Sequence, residues 1–108
     1  MSRYLFVQSQ DPFTETRAAG QYELACSLVA AGHSVRLLLI QNGVSVARQG
    51  VDCPAFDRLR AGGVLLLADR LSLEQREILG DRLHPDIVAA EIDVVIDAML
   101  AGEKVIWN

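Results

Sequence analysis

The sequence is poor in the side chains that bind metal ions. Its 108 residues contain two cysteines, Cys26 and Cys53, and two histidines, His33 and His84. Neither cysteine belongs to a CxxC pair and both histidines are isolated, so no metal-ligand spacing is present. We expect the cysteines to be free thiols in a reducing compartment and the histidines to be structural. We also expect no metal and no cofactor.

Positive charge and long apolar runs are also scarce. Ten Lys and Arg residues against fourteen Asp and Glu residues give a formal net charge of −4, and the basic residues are scattered. This pattern excludes the basic footprint of a nucleic-acid or anionic-lipid partner. No apolar run approaches the roughly 20 residues of a membrane span, and the N-terminal segment does not resemble a signal peptide. We therefore predict a cytoplasmic protein with no nucleic-acid and no membrane partner.

The glycine-rich phosphate-binding motifs are missing as well. Neither GxGxxG nor GxxxxGK[ST] occurs, so neither dinucleotide nor P-loop binding is predicted. The composition is instead 51% hydrophobic, with a mean hydropathy of +0.23. Such a chain can bury a real core, and its length predicts one domain over 1–108. Part of the apolar surplus is expected to cover a subunit interface.

Strand-like and helix-like segments alternate along the chain. Apolar runs predict strands at 3–8, 34–40, 64–68 and 104–108, with a brief strand near Ile87. Apolar spacing and caps predict helices at 15–31, 54–61, 72–79 and 92–100, the third with Ser72 as its N-cap. This alternation predicts a small flavodoxin-like, doubly wound parallel sheet of four to five strands, with helices on both faces.

In such open sheets, ligands bind beyond the carboxyl ends of the strands. The corners that follow the predicted strands are 8–16, 41–43, 69–70 and 107–108. The candidate cleft residues at these corners are Gln8, Asp11, Gln41, Asn42, Asp69 and Arg70.

Two of these corners have alternative interpretations. Asp69 follows four apolar residues, and it is either a base or acceptor in a cleft, or a loop acid that pairs with Arg70 or caps the next helix. Asn42 and Gly43 suit a turn with positive φ, and the same turn opens at the edge where Asp69 lies. A hydrolase or lyase that uses Asp69 has no paired His or serine nucleophile elbow to support it.

The two cysteines differ in their surroundings. Cys26 lies on the apolar stripe of the first predicted helix and is expected to be a core residue. Cys53 precedes Pro54 at a helix start, where the dipole can lower the pKa of a thiol, although Asp52 acts in the opposite direction. Cys53 is therefore either a reactive thiol or an ordinary residue of the cap region.

Three segments carry a family resemblance that covers nearly the whole chain. They are "DPFTETRAAGQYELACSLVAAGHSVRLLLIQNGVSVAR" at 11–48, "AGGVLLLAD" at 61–69 and "IDVVIDAMLAGEKVIWN" at 92–108. In their order and spacing they resemble the DsrE/DsrF-like family, which includes sulfur-relay subunits of the DsrEFH and TusBCD type. The resemblance implies a cytoplasmic protein that forms trimers, hexamers or hetero-oligomers with other DsrE-like subunits. It also implies, for catalytic members, persulfide sulfur carried on a cysteine in the loop after the third strand.

In this sequence that loop reads Ala68-Asp69-Arg70 and contains no cysteine. One hypothesis is therefore a non-catalytic interaction or small-ligand-binding subunit, and the alternative is a sulfurtransferase that carries sulfur on Cys53, with a sulfur-carrier protein as partner. We favour the first, because Cys53 is expected to lie away from the cleft at the carboxyl ends of the strands.

Overall fold

Five parallel strands form one sheet in the computed structural model, which describes residues 1–108. The strands are β1 (Arg3–Gln8), β2 (Ser34–Leu39), β3 (Leu65–Asp69), β4 (Val88–Ala90) and β5 (Lys104–Trp107). The helices are α1 (Thr16–Ala30), α2 (Pro54–Ala61), α3 (Arg70–Gln75) and α4 (Asp93–Leu100), with 3-10 helices at Gln41–Ala47 and Gly80–Arg82. The predicted flavodoxin-like α/β fold is confirmed.

The order of the strands in the sheet is β4-β3-β2-β1-β5. The chain adds strands in one direction from β1 to β4 and then returns to the free side of β1 to form β5. Because parallel crossovers are right-handed, this reversal places α4 on the opposite face of the sheet from α1. The topological switch point, where ligands bind in many open sheets, therefore lies between β1 and β5.

Alternating side chains of the strands build two cores of unequal size. The larger core contains 19 buried residues and joins the sheet to α1 and α2, with Phe6 and Leu37 contributed by the strands. The smaller core contains seven, with Leu5 and Leu38 packed under Val95 of α4. Residues one apart in a strand point to opposite faces, which explains this division. The face under α4 is thus covered by a single short helix.

The third helix differs from the prediction. It begins at Arg70, directly after β3, and its N-cap is Asp69 rather than Ser72. The Asp69 carboxylate accepts from the backbone N–H of Ser72 at 3.1 Å, which satisfies a donor in the first turn. The helix ends at Gln75, with Arg76 as its C-cap, and the next residue, Glu77, has a φ of 55° in the left-handed region. Ser72 lies inside the helix and not at its N-cap, because the strand leads straight into the helix.

Candidate functional site

The end of β1 is held in place by hydrogen bonds between side-chain amides. Gln8 is fully buried, and its Nε2 donates to Oε1 of Gln21 at 2.6 Å. The Gln8 Oε1 accepts from the backbone N–H of Gln10 at 3.0 Å and from Nδ2 of Asn108 at 3.3 Å. Since Asn108 follows β5, this network links the two strands that border the switch point. The predicted cleft residue Gln8 thus holds the edge of the sheet together.

The corner after β2 is shaped by a close approach of two backbones. The N–H of Gly43 donates to the carbonyl oxygen of Ser9 at 3.1 Å, and a Cβ at Gly43 would overlap the carbonyl oxygen of Gln8. The residue with positive φ is Gln41, at 51°, and not Asn42 or Gly43. The predicted reason for the glycine was wrong: this position needs the absence of a side chain, not a left-handed backbone.

A single serine joins the ends of β2 and β3. The hydroxyl of Ser72 donates to Oδ2 of Asp69 at 2.7 Å and accepts from the backbone N–H of Gln41 at 2.8 Å. Beside it, Nη2 of Arg76 donates to Oδ1 of Asn42 at 3.0 Å. The structure therefore brings Gln41, Asn42 and Asp69 into one cluster. Sequence reasoning missed Ser72 as its centre, although the three-residue spacing from Asp69 was the available signal.

The two remaining candidates have local roles. Oδ1 of Asp11 accepts from the backbone N–H groups of Phe13 and Thr14 at 2.8 and 2.9 Å, which closes the turn before α1. Nε of Arg70 donates to Oε1 of Glu91 at 3.0 Å in an exposed ion pair. Neither side chain forms a hydrogen bond with the Asp69 cluster, so the predicted Asp69–Arg70 pair is not formed.

Cys53 is the N-cap residue of α2, but its side chain makes no capping hydrogen bond. That Cys53 lies away from the cleft stays a prediction. The residue is only 6% exposed and belongs to the larger core, so its thiol is covered.

The hydroxyl of Tyr22 lies near Cys53 and is buried without a hydrogen-bond partner. Its ring packs edge-on against Phe56 of α2, with 5.7 Å between the ring centroids. Burial raises the pKa of Tyr22, and the charges of Cys53 and Asp11 raise it further. A buried group that loses its hydration without gaining a partner favours the neutral form. Tyr22 therefore stays protonated at neutral pH.

The side chains at the carboxyl edge form structural hydrogen bonds rather than a catalytic arrangement. Oδ2 of Asp69 is engaged with both the N–H and the hydroxyl of Ser72, as expected for a helix cap rather than a free base. No group of three or more His, Cys, Asp or Glu residues is placed to hold a metal ion. None of the helices combines the length and the apolar character that crossing a bilayer requires.

The fold and the amide-lined edge define a small α/β protein of flavodoxin-like topology. The model of the DsrE/DsrF-like family matches residues 2–107. The chain therefore belongs to the DsrE/DsrF-like family, as the three sequence segments indicated.

Solved structures agree with this assignment at the level of the fold. The protein of unknown function MTH1491 from Methanobacterium thermoautotrophicum superposes with a TM-score of 0.85 at 18% identity, and both chains are covered completely. The ychN protein from E. coli gives 0.86 at 17% identity, also over 100% of both chains. The protein BT1422 from Bacteroides thetaiotaomicron, described as conserved and of unknown function, gives 0.70 at 11% identity, over 97% of this chain and 94% of that one. No curated protein matches the sequence significantly.

Proposed function

We propose that this protein is a non-catalytic interaction or small-ligand-binding subunit of the DsrE type, acting as a single-domain cytoplasmic protein in sulfur metabolism. One observation carries the proposal. The position that the family resemblance assigns to a sulfur-carrying cysteine is Asp69, and its carboxylate caps α3 through Ser72. A carboxylate cannot hold sulfane sulfur, and this one is already engaged in two hydrogen bonds.

The surface around α4 supports an interaction role. This helix exposes apolar side chains on its outer side, and β5 adds another at the adjoining edge: Ile92, Ile96, Met99, Leu100 and Trp107. The same face of the sheet exposes Leu65 and Val88, which are 51% and 55% accessible beyond the cover of α4. Several large apolar side chains exposed on one face of a protein often mark an interface. We name these seven residues the α4 surface.

A second copy of the chain is the partner that we assign to the α4 surface, with other DsrE-like subunits as the hetero-oligomeric equivalent. Asp93 and Asp97, one helical turn apart on α4, are exposed beside the apolar residues. A self-complementary apolar patch with polar neighbours suits a symmetric assembly. Membership of the DsrE/DsrF-like family, in which the family resemblance implies trimers and hexamers, supports this choice.

Sedimentation velocity on matched variants tests the assembly. Ile96→Lys places a charge at the centre of the α4 surface, where Ile96 is 58% exposed. Leu24→Lys is the control, because Leu24 is 46% exposed on α1, on the opposite face. We expect an oligomer for the wild type and for Leu24→Lys, and a monomer for Ile96→Lys. A wild type that remains monomeric at high concentration and recovers no DsrE-like subunit in a pull-down would refute the proposal.

The placement of Cys53 favours a second candidate, a sulfurtransferase. Its thiol stands at the start of α2, near the unpartnered hydroxyl of Tyr22. The Cys53 thiolate would attack the outer sulfur of a low-molecular-weight persulfide, breaking its S–S bond, releasing the donor thiolate and leaving a persulfide on Cys53. Against this, only 6% of Cys53 is exposed.

Intact-mass analysis after incubation with such a persulfide distinguishes the two candidates. The sulfurtransferase requires a gain of one sulfur atom that is lost in Cys53→Ser and retained in Cys26→Ser. The non-catalytic subunit requires no gain on Cys53 under conditions that load a known carrier protein.

A further inference from the structure

A groove of about 430 Å³ lies between α1 and α2. It is separate from the Asp69 cluster, since none of the residues of that cluster line it. It is also separate from the α4 surface, which lies on the other face of the sheet. Ligand pockets commonly have volumes of roughly 300–1,000 Å³ and mainly apolar walls with a few polar groups. The groove has the size and the character of a site for a small molecule.

The groove is formed by the way in which the two helices meet. At one end, Gly62 directly follows α2 and lies against α1. A Cβ at Gly62 would be 2.5 Å from Sγ of Cys26. At the other end, the rings of Tyr22 and Phe56 hold the helices together. Between these contacts the small side chain of Ala55 leaves the space open. The groove therefore exists before any ligand arrives.

The floor of the groove is apolar and neutral. Tyr22 and Leu59 line it, and each is 1% exposed. Cys26 also lines it, and burial together with the nearby Glu23 raises the pKa of its thiol. The thiol is therefore protonated at neutral pH, and it donates only a long contact, 4.0 Å, to the carbonyl oxygen of Arg58. The floor suits an apolar group rather than a charged one.

The rim carries one charge of each sign. Glu23 and Arg58 both line the groove and are exposed. Neither forms an ion pair with the other or with any other residue, whereas Arg60, two positions along α2, pairs with Asp57 at 2.9 Å and with Asp86 at 3.2 Å. A guanidinium binds a carboxylate through two parallel hydrogen bonds, and a carboxylate binds an ammonium group. The rim thus offers complementary partners to a molecule that bears both charges.

We propose that this groove binds a free amino acid with an apolar side chain. Arg58 takes the α-carboxylate, Glu23 takes the α-ammonium group, and the side chain lies on Tyr22 and Leu59. The inference is independent of the assembly through the α4 surface, because no residue is shared between the two.

Titration of the ¹⁵N-labelled protein with L-leucine, followed by amide chemical shifts, tests the site. We expect saturable shifts in α1 and α2 that centre on Cys26 and Leu59. N-acetyl-L-leucine lacks the ammonium group and L-leucinamide lacks the carboxylate, so each should bind about tenfold more weakly, as expected for the loss of one charge-assisted contact. Arg58→Gln and Glu23→Gln should weaken L-leucine binding by a similar factor, whereas Arg82→Gln, an exposed arginine outside the groove, should leave it unchanged.

Three results would overturn the assignment. They are the absence of saturable shifts, shifts centred outside α1 and α2, and binding of either capped analogue as tight as that of L-leucine. Because oligomeric state is measured separately by sedimentation, a failure of this site is distinguishable from a failure of the assembly proposal.

Discussion

The hydroxyl of Ser72 lies 2.7 Å from Oδ2 of Asp69 and donates to it within the buried part of the carboxyl edge. The same oxygen of Ser72 receives the N–H of Gln41, which lies 31 residues earlier in the chain. Asp69 thus caps α3, and the hydroxyl of Ser72 joins the ends of β2 and β3. The carboxylate of Asp69 is a structural cap, because both the N–H and the hydroxyl of Ser72 donate to it.

Removal of the Ser72 hydroxyl should destabilise the protein more than an ordinary surface change. Ser72→Ala leaves Asp69 with one hydrogen bond fewer and the N–H of Gln41 without an acceptor, so we expect a loss of about 2 kcal/mol in the free energy of unfolding. Urea denaturation measures it. Ser45→Ala, at a half-buried serine with no side-chain hydrogen bond, is the control. A loss for Ser72→Ala no larger than that of the control would contradict the bridging role.

Two glycine substitutions should have opposite effects. Gly43→Ala forces a Cβ into the carbonyl of Gln8, and overpacking against backbone should cost about 2 kcal/mol. Gly20→Ala adds a Cβ where no atom lies within 4 Å, in the interior of α1, and should stabilise by about 0.5–1 kcal/mol. Thermal unfolding of both variants checks the pair. If Gly43→Ala proved as stable as the wild type, the close approach after β2 would be disproved.

Tyr22→Phe should stabilise the protein by about 1 kcal/mol, because it removes a buried hydroxyl that has no partner. It should also flatten the alkaline limb of the stability profile. The pKa of Tyr22 in the folded state is raised above its ordinary value of 10.0, so the unfolded chain releases the proton first. Stability is fully present below that value and falls as the pH rises above it.

Urea denaturation at several pH values between neutral and alkaline measures both effects. The wild type should lose stability more steeply than Tyr22→Phe above the ordinary tyrosine pKa. Parallel profiles for the two proteins, or a marked loss of stability in Tyr22→Phe at neutral pH, would show that the hydroxyl has a partner in solution.

The two thiols should differ in reactivity toward iodoacetamide. Cys26 is partly exposed in the groove, whereas Cys53 is buried in the larger core. We expect Cys26 to be alkylated first, and its rate to keep rising with pH beyond the ordinary thiol pKa of 9.0, because its own pKa is raised. Peptide mapping by mass spectrometry assigns each adduct. Faster alkylation of Cys53 would show that its thiol is more accessible than the packing around α2 allows.

The local pattern of the sequence was sufficient to predict most of the elements. The helix over 54–61 begins at Pro54 and ends at Ala61, as the proline and the following glycines indicated. Ser72 was misassigned because a serine before apolar helical spacing is a good N-cap, and only the direct passage of β3 into α3 makes Asp69 the cap instead.

The candidate site was predictable only in part. The rule for open sheets selected Gln41, Asn42 and Asp69, and the structure brings them together. The rule did not predict that Gln8 would face inward and bind Gln21. Gln21 belongs to α1, and the side of α1 that faces the sheet depends on tertiary packing. The groove between α1 and α2 gave no signal in the sequence, since its walls belong to two separate segments.

The sequence by itself determined that this is a parallel α/β protein of the DsrE/DsrF-like family without a cysteine after its third strand. Those properties depend on the identity and the spacing of neighbouring residues, which act over one turn or one strand. Only the tertiary structure decided that Asp69 is held by Ser72, that Gly43 must lack a side chain, and that one face of the sheet is thinly covered by α4. Each of these depends on the distance between segments far apart in the chain, which the order of the strands establishes.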